Sequence, residues 1–240
     1  MQFTIHRHRV IDSTNNLAIC LAEEGAPGGT VVVAEEQLAG RGRVGRTWCS
    51  PPGYGLYLSL ILRPEKPVDQ LWQTAYIASV AVAETIKLWE LPARIKWPND
   101  ILINGRKVSG ILIEAKSQIV VVGIGINVNT PEFPPEISST ATSMLLESHL
   151  SDPIDLQTVE CKLLSSLDLV YALYSSSGFE PVLDLWKGLE CTTGRHVVVN
   201  VAGCKIAGTA ESIDEKGDLV VRTGSGESVS VSSGEVIFDR

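Results

Sequence analysis

The residues with the most explicit chemistry sit in one stretch, Gln37-Leu38-Ala39-Gly40-Arg41-Gly42-Arg43-Val44-Gly45-Arg46-Thr47-Trp48. Gly40, Gly42 and Gly45 free the backbone to approach a ligand closely. Arg41, Arg43 and Arg46 bring permanent charge and forked donors that match phosphate and carboxylate. Successive backbone N–H groups in such a loop can add an anion-binding nest. The spacing G-x-x-x-x-G-K-[ST] is absent, so this is not a Walker-type phosphate loop. A solvated loop is the bland alternative. An RGG-type RNA contact is another, but those come as disordered repeats, and here one copy lies between two strand-like runs. An anionic ligand is the expectation.

Three other clusters point the same way. Lys96-Trp97-Pro98-Asn99-Asp100 packs lysine, amide and carboxylate together where Pro98 ends a strand. Lys107-Val108-Ser109-Gly110-Ile111-Leu112-Ile113-Glu114 opens the strand after the hairpin signal Asn104-Gly105. In Gly123-Ile124-Gly125-Ile126-Asn127 the two glycines share one face of a strand. Glycine weakens a strand unless something must come close to its backbone, and a flat or ring-bearing ligand suits such a bare face. The ordinary alternatives are a strand-to-turn junction, a solvated lysine and a bulge.

These clusters need a scaffold. Asp12-Ser13-Thr14-Asn15 supplies helix-capping residues, with Leu17, Cys20, Leu21 and Glu24 following at helical spacing. Residues 30–36 and 56–62 read as strands. Leu71, Ala75, Ala78, Val82, Ile86 and Trp89 mark one apolar face of a long helix that Pro92 ends. Strands are expected at 94–97, 101–103, 108–115 and 119–127, mostly antiparallel because tight hairpins join them. Helices follow near 141–149, 156–174 and 180–189. After Cys191 come five short β runs, 196–201, 205–213, 219–222, 228–231 and 236–238, the pattern of a small barrel. So small a piece has a marginal core and is expected to lean on its neighbour.

The 240 residues carry a net charge of −8, a poor balance for non-specific nucleic-acid binding. No apolar run is long enough to span a bilayer, and the N-terminal residues lack a signal-peptide core. Five scattered cysteines with no C-x-x-C pair give no metal site or disulfide framework and fit a reducing cytoplasm.

Taken in order, the segments Asp12 to Asn15, Gln37 to Trp48, Ser50-Pro51-Pro52-Gly53, Lys96 to Asp100, Lys107 to Glu114 and Gly123 to Asn127 resemble the biotin protein ligases. The resemblance implies an α+β fold: a mixed, largely antiparallel sheet with helices packed on it, related to class II aminoacyl-tRNA synthetases, plus a small SH3-like β-barrel. It places a catalytic domain at 1–190 and the barrel at 191–240. It implies that ATP, with Mg2+, activates biotin to biotinyl-5′-AMP, and that the biotinyl group then passes to a lysine of a carboxylase's biotin carboxyl carrier domain. The Ser-Thr-Asn motif begins at residue 13, which suggests the enzyme-only class without a DNA-binding domain. A homodimer is left open.

By the same resemblance, Lys107, Arg43, Lys96 and Asp100 form the catalytic set, with Asp100 orienting or deprotonating the acceptor amine. Biotin would be held by Ser13, Thr14, Asn15, Gln37, Gly40, Arg41, Gly42, Arg43, Lys107, Gly110, Gly123 and Gly125. The nucleotide would meet Arg41, Arg43, Trp48, Lys96, Asn99, Lys107 and Asn127, with Trp48 against adenine. The glycine loop is expected to be mobile when empty. Two rivals stand beside this reading. One is a lipoate or octanoate ligase or transferase of the same fold, for which Cys49 would be the nucleophile. The other is a biotin sensor without catalysis.

Overall fold

The computed structural model describes residues 1–201 and 203–239. Its first half runs β1 (Thr4–Ile11), α1 (Thr14–Glu23), β2 (Thr30–Gln37), β3 (Gly55–Leu62), α2 (Gln73–Lys87), β4 (Ala93–Lys96), β5 (Asp100–Ile103), β6 (Arg106–Lys116) and β7 (Ile119–Asn127). Helices α3 (Met144–Glu147), α4 (Leu156–Ser177) and α5 (Glu180–Leu189) follow. The chain then enters β8 (His196–Val201), β9 (Cys204–Ile213), β10 (Leu219–Thr223), β11 (Ser228–Val231) and β12 (Glu235–Phe238).

The first seven strands form one sheet in the order β1-β2-β3-β7-β6-β5-β4. Only β1 and β2, joined through α1, pair in parallel; the remaining neighbours are antiparallel. The Asn104-Gly105 turn forms as expected, both residues having positive φ (50° and 81°). The last five strands make a second, antiparallel sheet, β11-β10-β9-β8-β12.

Strand β1 is not foreseen by the sequence reading. Its residues, Thr-Ile-His-Arg-His-Arg-Val-Ile, are mostly exposed, so no apolar alternation announces them. Arg7 holds it in place: Nη1 and Nη2 donate to the Glu160 carboxylate of α4 at 2.6 and 2.7 Å. Glu160 is buried, so the forked pair satisfies a carboxylate that burial would otherwise penalise.

The long helix also differs from expectation. Rather than one apolar face, α2 is buried on nearly all sides from Gln73 to Ile86. The run Ala-Ser-Val-Ala-Val-Ala is small and apolar all round, which suits a helix enclosed by other elements. In α1 the buried face is Thr14, Asn15, Ala18 and Ala22, whereas Cys20 is exposed and Leu17 and Leu21 are half-buried. Small alanines let α1 lie close on Val32, Ile61 and Val121 of the sheet.

The other face of the sheet carries the main core, with Val31, Leu58, Leu60, Val122 and Ile124 against α2, α4 and α5. Val197, Val199, Ala210, Leu219 and Val221 of the second sheet belong to that same cluster. The small barrel therefore does lean on the larger part. Its β9–β10 turn supplies the key, for the Gly217 carbonyl accepts from Tyr76 Oη and, at 3.0 Å, from Trp97 Nε1. Cys191 N–H donates to the Ile95 carbonyl at 2.9 Å, and Trp97 N–H to Thr192 Oγ1 at 2.9 Å.

Candidate active site

Helix α1 covers only part of its face of the sheet. Alternation along β3 and β7 puts Ser59, Gly123 and Gly125 on the same face as Ile61 and Val121, and the register pairs Ser59 with Gly123 and Gly125 with Gly110. Past the end of α1 this face carries Ser59, Gly110, Leu112, Glu114, Gly123 and Gly125. The glycine-arginine loop folds over it.

The loop is a short hairpin. Gly42 N–H donates to the Arg46 carbonyl at 2.7 Å, and Trp48 N–H to the Gly40 carbonyl at 2.9 Å. At its tip Val44 is 93% exposed with φ at 52°. A β-branched residue pays about 1–3 kcal/mol for that conformation, with no packing to offset it. The loop's return brings the Trp48 ring down onto Gly110 and Gly125: a Cβ on Gly110 would lie 3.2 Å from the ring, and one on Gly125 would collide with it. The bare face expected for a flat ligand thus holds Trp48 itself in this structure. Its indole N–H is buried and has no hydrogen-bond partner among the described residues.

One end of the face is a polar network. Thr14 N–H donates to Gln37 Oε1 at 2.8 Å, and Gln37 Nε2 to Ser50 Oγ at 2.8 Å. Ser59 Oγ lies 2.7 Å from Thr14 Oγ1 and 2.5 Å from Asn15 Oδ1. Asn15 Nδ2 donates to Glu114 Oε2 at 2.9 Å, and Arg41 pairs with the same oxygen. The buried set Ser13, Thr14, Asn15, Ser50 and Ser59 is suited to a small polar head group, because buried polar atoms keep fixed positions only when bonded. Ser13, Thr14, Asn15, Gln37 and Arg41 are the residues expected here from the sequence. Ser59, a lone hydroxyl in the apolar run Leu58 to Leu60, is not among them, and Ser50 and Glu114 lie within the matching segments without an assigned role.

The other end is cationic. A bulge in the β5–β6 pairing sets Ile101 opposite Ser109 but Leu102 opposite Lys107. One extra residue reverses the alternation, so Lys107 joins Gly110 on the site face. Its Nζ lies 2.6 Å from Asp100 Oδ1 and 5.6 Å from the centre of the Trp48 ring. Arg43 Nη1 donates to Asn99 Oδ1 at 2.8 Å, and Asn99 Nδ2 donates to the Ile111 carbonyl. Both ends of the Asn99 amide are committed, so Asn99 stands behind Arg43. Burial lowers the Arg43 pKa from its ordinary value, and Asp100 opposes that shift. Burial likewise lowers Lys96, with Asp100 opposing and Lys107 reinforcing. Lys107 binds Asp100 directly, Lys96 stands opposite it in the β4–β5 register, and Arg43 holds the adjoining Asn99, so the three cations gather around Asp100. Asn127 closes the floor, its Nδ2 bonded at 3.1 Å to the Thr142 carbonyl.

The arrangement can bind a molecule with a neutral polar head and an anionic end, and can hold two anions together at Arg43, Lys96 and Lys107. Known proteins match the chain over most of its length. Residues 8–130 match the model of the "Biotin/lipoate A/B protein ligase family", and residues 192–239 that of the "Biotin protein ligase C terminal domain". A biotin–[acetyl-CoA-carboxylase] ligase of Paracoccus denitrificans is 32% identical over 236 residues, 95% of this chain and 97% of that protein. The bifunctional ligase/repressor BirA of Bacillus subtilis is 39% identical over 227 residues, 91% of this chain and 69% of the relative. Among solved structures, the biotin protein ligase from Aquifex aeolicus in complex with biotin and ATP superposes with a TM-score of 0.86 at 32% identity, covering 99% of both chains.

Proposed function

We infer the activity from the premise that the chain belongs to the biotin/lipoate A/B protein ligase family. It is an ATP-dependent biotin protein ligase with a mixed α+β catalytic fold and an SH3-like C-terminal barrel. The observation that carries the residue-level reading is the meeting of Arg43, Lys96 and Lys107 around Asp100, beside a polar pocket floored by glycine.

In the first step a biotin carboxylate oxygen attacks the α-phosphorus of ATP and pyrophosphate leaves. Two anions must approach each other, and fixed cations in a part-buried site lower that barrier without reorganising. Lys107 and Arg43 hold the reacting carboxylate and phosphate, and Lys96 meets the charge that develops on the phosphate side. Thr14, Gln37 and the network behind them hold the biotin head. The Trp48 ring leaves the glycine wall for the adenine, which gives its indole N–H a new environment.

Magnesium reaches such sites on the nucleotide and usually takes only one or two carboxylates from the protein. Among the described residues no group of three or more His, Cys, Asp or Glu side chains forms a cage. Asp100 is engaged by Lys107, so an ion in this site would be held chiefly by the nucleotide's own phosphates. When bound, the ion would screen the phosphate charges.

In the second step the acceptor lysine's amine attacks the acyl carbon of the mixed anhydride and AMP leaves. The acceptor is a lysine of a carboxylase's biotin carrier domain, in the cytoplasm. Asp100 takes or orients the amine's proton once Lys107 has turned to the adenylate. Biotin-dependent ATP–pyrophosphate exchange tests the reading, with lipoate and octanoate run in parallel. Exchange with biotin alone is expected. Exchange with lipoate or octanoate, or none with biotin, would overturn it.

A further inference from the structure

The last strand of the barrel reaches the site from outside the catalytic sheet. Arg46 Nη2 donates to Glu235 Oε2 at 2.5 Å, a contact between loop and β12 across 189 residues of sequence. The Glu235 carboxylate also acts on Arg43 and Lys96, favouring their charged forms. Three residues further along β12, the Phe238 ring lies 4.9 Å from Lys96 Nζ and 4.5 Å from the Arg195 guanidinium carbon. Each is a cation–π distance.

From this geometry we propose that Glu235 and Phe238 are positioning residues for adenylation: Glu235 latches the glycine-arginine loop through Arg46, and Phe238 seats Lys96. The proposal rests on the ligase reading and assigns the barrel a part in the nucleotide end of the site.

Magnitudes say where the effect is felt. The Arg46 and Glu235 side chains are 65% and 40% exposed, and an exposed pair shifts a two-state equilibrium only about two- to fivefold. That is small against unfolding of the whole chain. It is large for a hairpin closed by a few exposed backbone bonds with an unpacked, strained tip. The latch therefore acts on the opening of the loop. Phe238 acts differently: its ring occupies the side of Lys96 that water would take, which restricts where the ammonium can point.

The test compares the parent with E235Q, E235D, F238L, F238Y and the charge-swapped R46E/E235R. E211Q serves as a control, since Glu211 pairs with Arg222 between β9 and β10 of the same barrel. Steady-state adenylation gives KM for ATP and for biotin separately, and hydrogen exchange follows residues 39–48. In E235Q and F238L, KM for ATP is expected to rise about two- to fivefold while KM for biotin stays at the parental value. Loop exchange should quicken in E235Q and recover in E235D and in the charge swap. F238Y keeps the ring and should match the parent, as should E211Q. E235Q with parental KM for ATP and parental loop exchange overturns the latch. Equal losses in E211Q and E235Q overturn it too, because they report a loosened barrel. F238L with parental kinetics, or equal losses in F238L and F238Y, overturns the seat. A parent without biotin-dependent exchange overturns the ligase reading itself, and then loop exchange in E235Q still decides the latch.

Discussion

Lys107 Nζ and Asp100 Oδ1 lie 2.6 Å apart because a bulge turns the lysine onto the face where the aspartate stands. Without the bulge Lys107 would alternate to the core side with Ser109, and the site would lose its central cation. The pair holds the Lys107 ammonium aimed into the site before substrate arrives. Removing the cation should be costly: K107Q is expected to lower the rate of adenylate formation about 10²–10³-fold. D100N should still form adenylate within a few-fold of the parental rate but pass it to the carrier about 10²-fold more slowly. Rapid quench with separate readouts of adenylate and biotinylated carrier tells the steps apart. Parental transfer by D100N across pH would rule out the proton role.

The glycine wall gives a second test. A Cβ at Gly125 collides with the Trp48 ring, and one at Gly123 collides with the Asn15 amide. G123A should disturb Asn15 and its network and raise KM for biotin, whereas G125A pushes Trp48 off the wall it leaves for adenine and should not raise KM for ATP. Overpacking of this kind costs about 1–3 kcal/mol, so KM for biotin in G123A should rise about 5- to 150-fold. Titration of biotin and ATP separately would show the split, and an equal rise of both constants in both variants would refute it.

Much of this site was legible because its signals are local. The Gly40 to Arg46 loop, the Lys96 to Asp100 turn and Gly123 to Asn127 each declare their chemistry within a few residues, and the Asn104-Gly105 hairpin fixes how two of them meet. What stayed hidden depends on distance in sequence. Glu114 becomes a partner of Arg41 only when β6 lies beside the loop, and Glu235 meets Arg46 only once the barrel has docked. Strand β1 hid for another reason: its stability comes from backbone pairing with β2 and one ion pair to α4, neither of which leaves an apolar period. The bulge at Lys107 was equally silent, since alternation alone assigns that side chain to the other face.

Lys96 predicts a pH dependence. Burial lowers its pKa from the ordinary lysine value of 10.5. A cation with a lowered pKa is lost sooner as pH rises, so the alkaline limb of adenylation should begin below the usual lysine range. K96R should move that limb upward, because a guanidinium stays charged throughout. The log of kcat/KM for adenylation against pH gives the comparison, and identical alkaline limbs in parent and K96R would show that Lys96 does not set them.

Glu147 predicts an acid-sensitive support behind Lys107. Its Oε1 accepts from Arg106 Nη2 and from Thr142 Oγ1, each at 2.7 Å, and its Oε2 accepts from Asn104 Nδ2 at 2.8 Å. Segment 140–142 brackets the Lys107 backbone: Lys107 N–H donates to the Thr140 carbonyl at 2.7 Å, and Thr142 N–H to the Lys107 carbonyl at 2.9 Å. Burial pushes the Glu147 pKa up, but the bonds from Thr142, Asn104 and Arg106 outweigh it and hold the carboxyl below its ordinary 4.5. A depressed carboxylate pKa contributes stability that is complete above the unfolded value and lost as pH falls through the folded one. The β5–β6 hairpin should therefore loosen below about pH 4.5, taking Lys107 out of register with Asp100. E147Q should cost about 1–3 kcal/mol at neutral pH and flatten the fall of melting temperature with acid. Thermal unfolding of parent and E147Q between about pH 3 and 7 checks this. Parallel curves, offset or coincident, would mean that Glu147 does not carry the acid response.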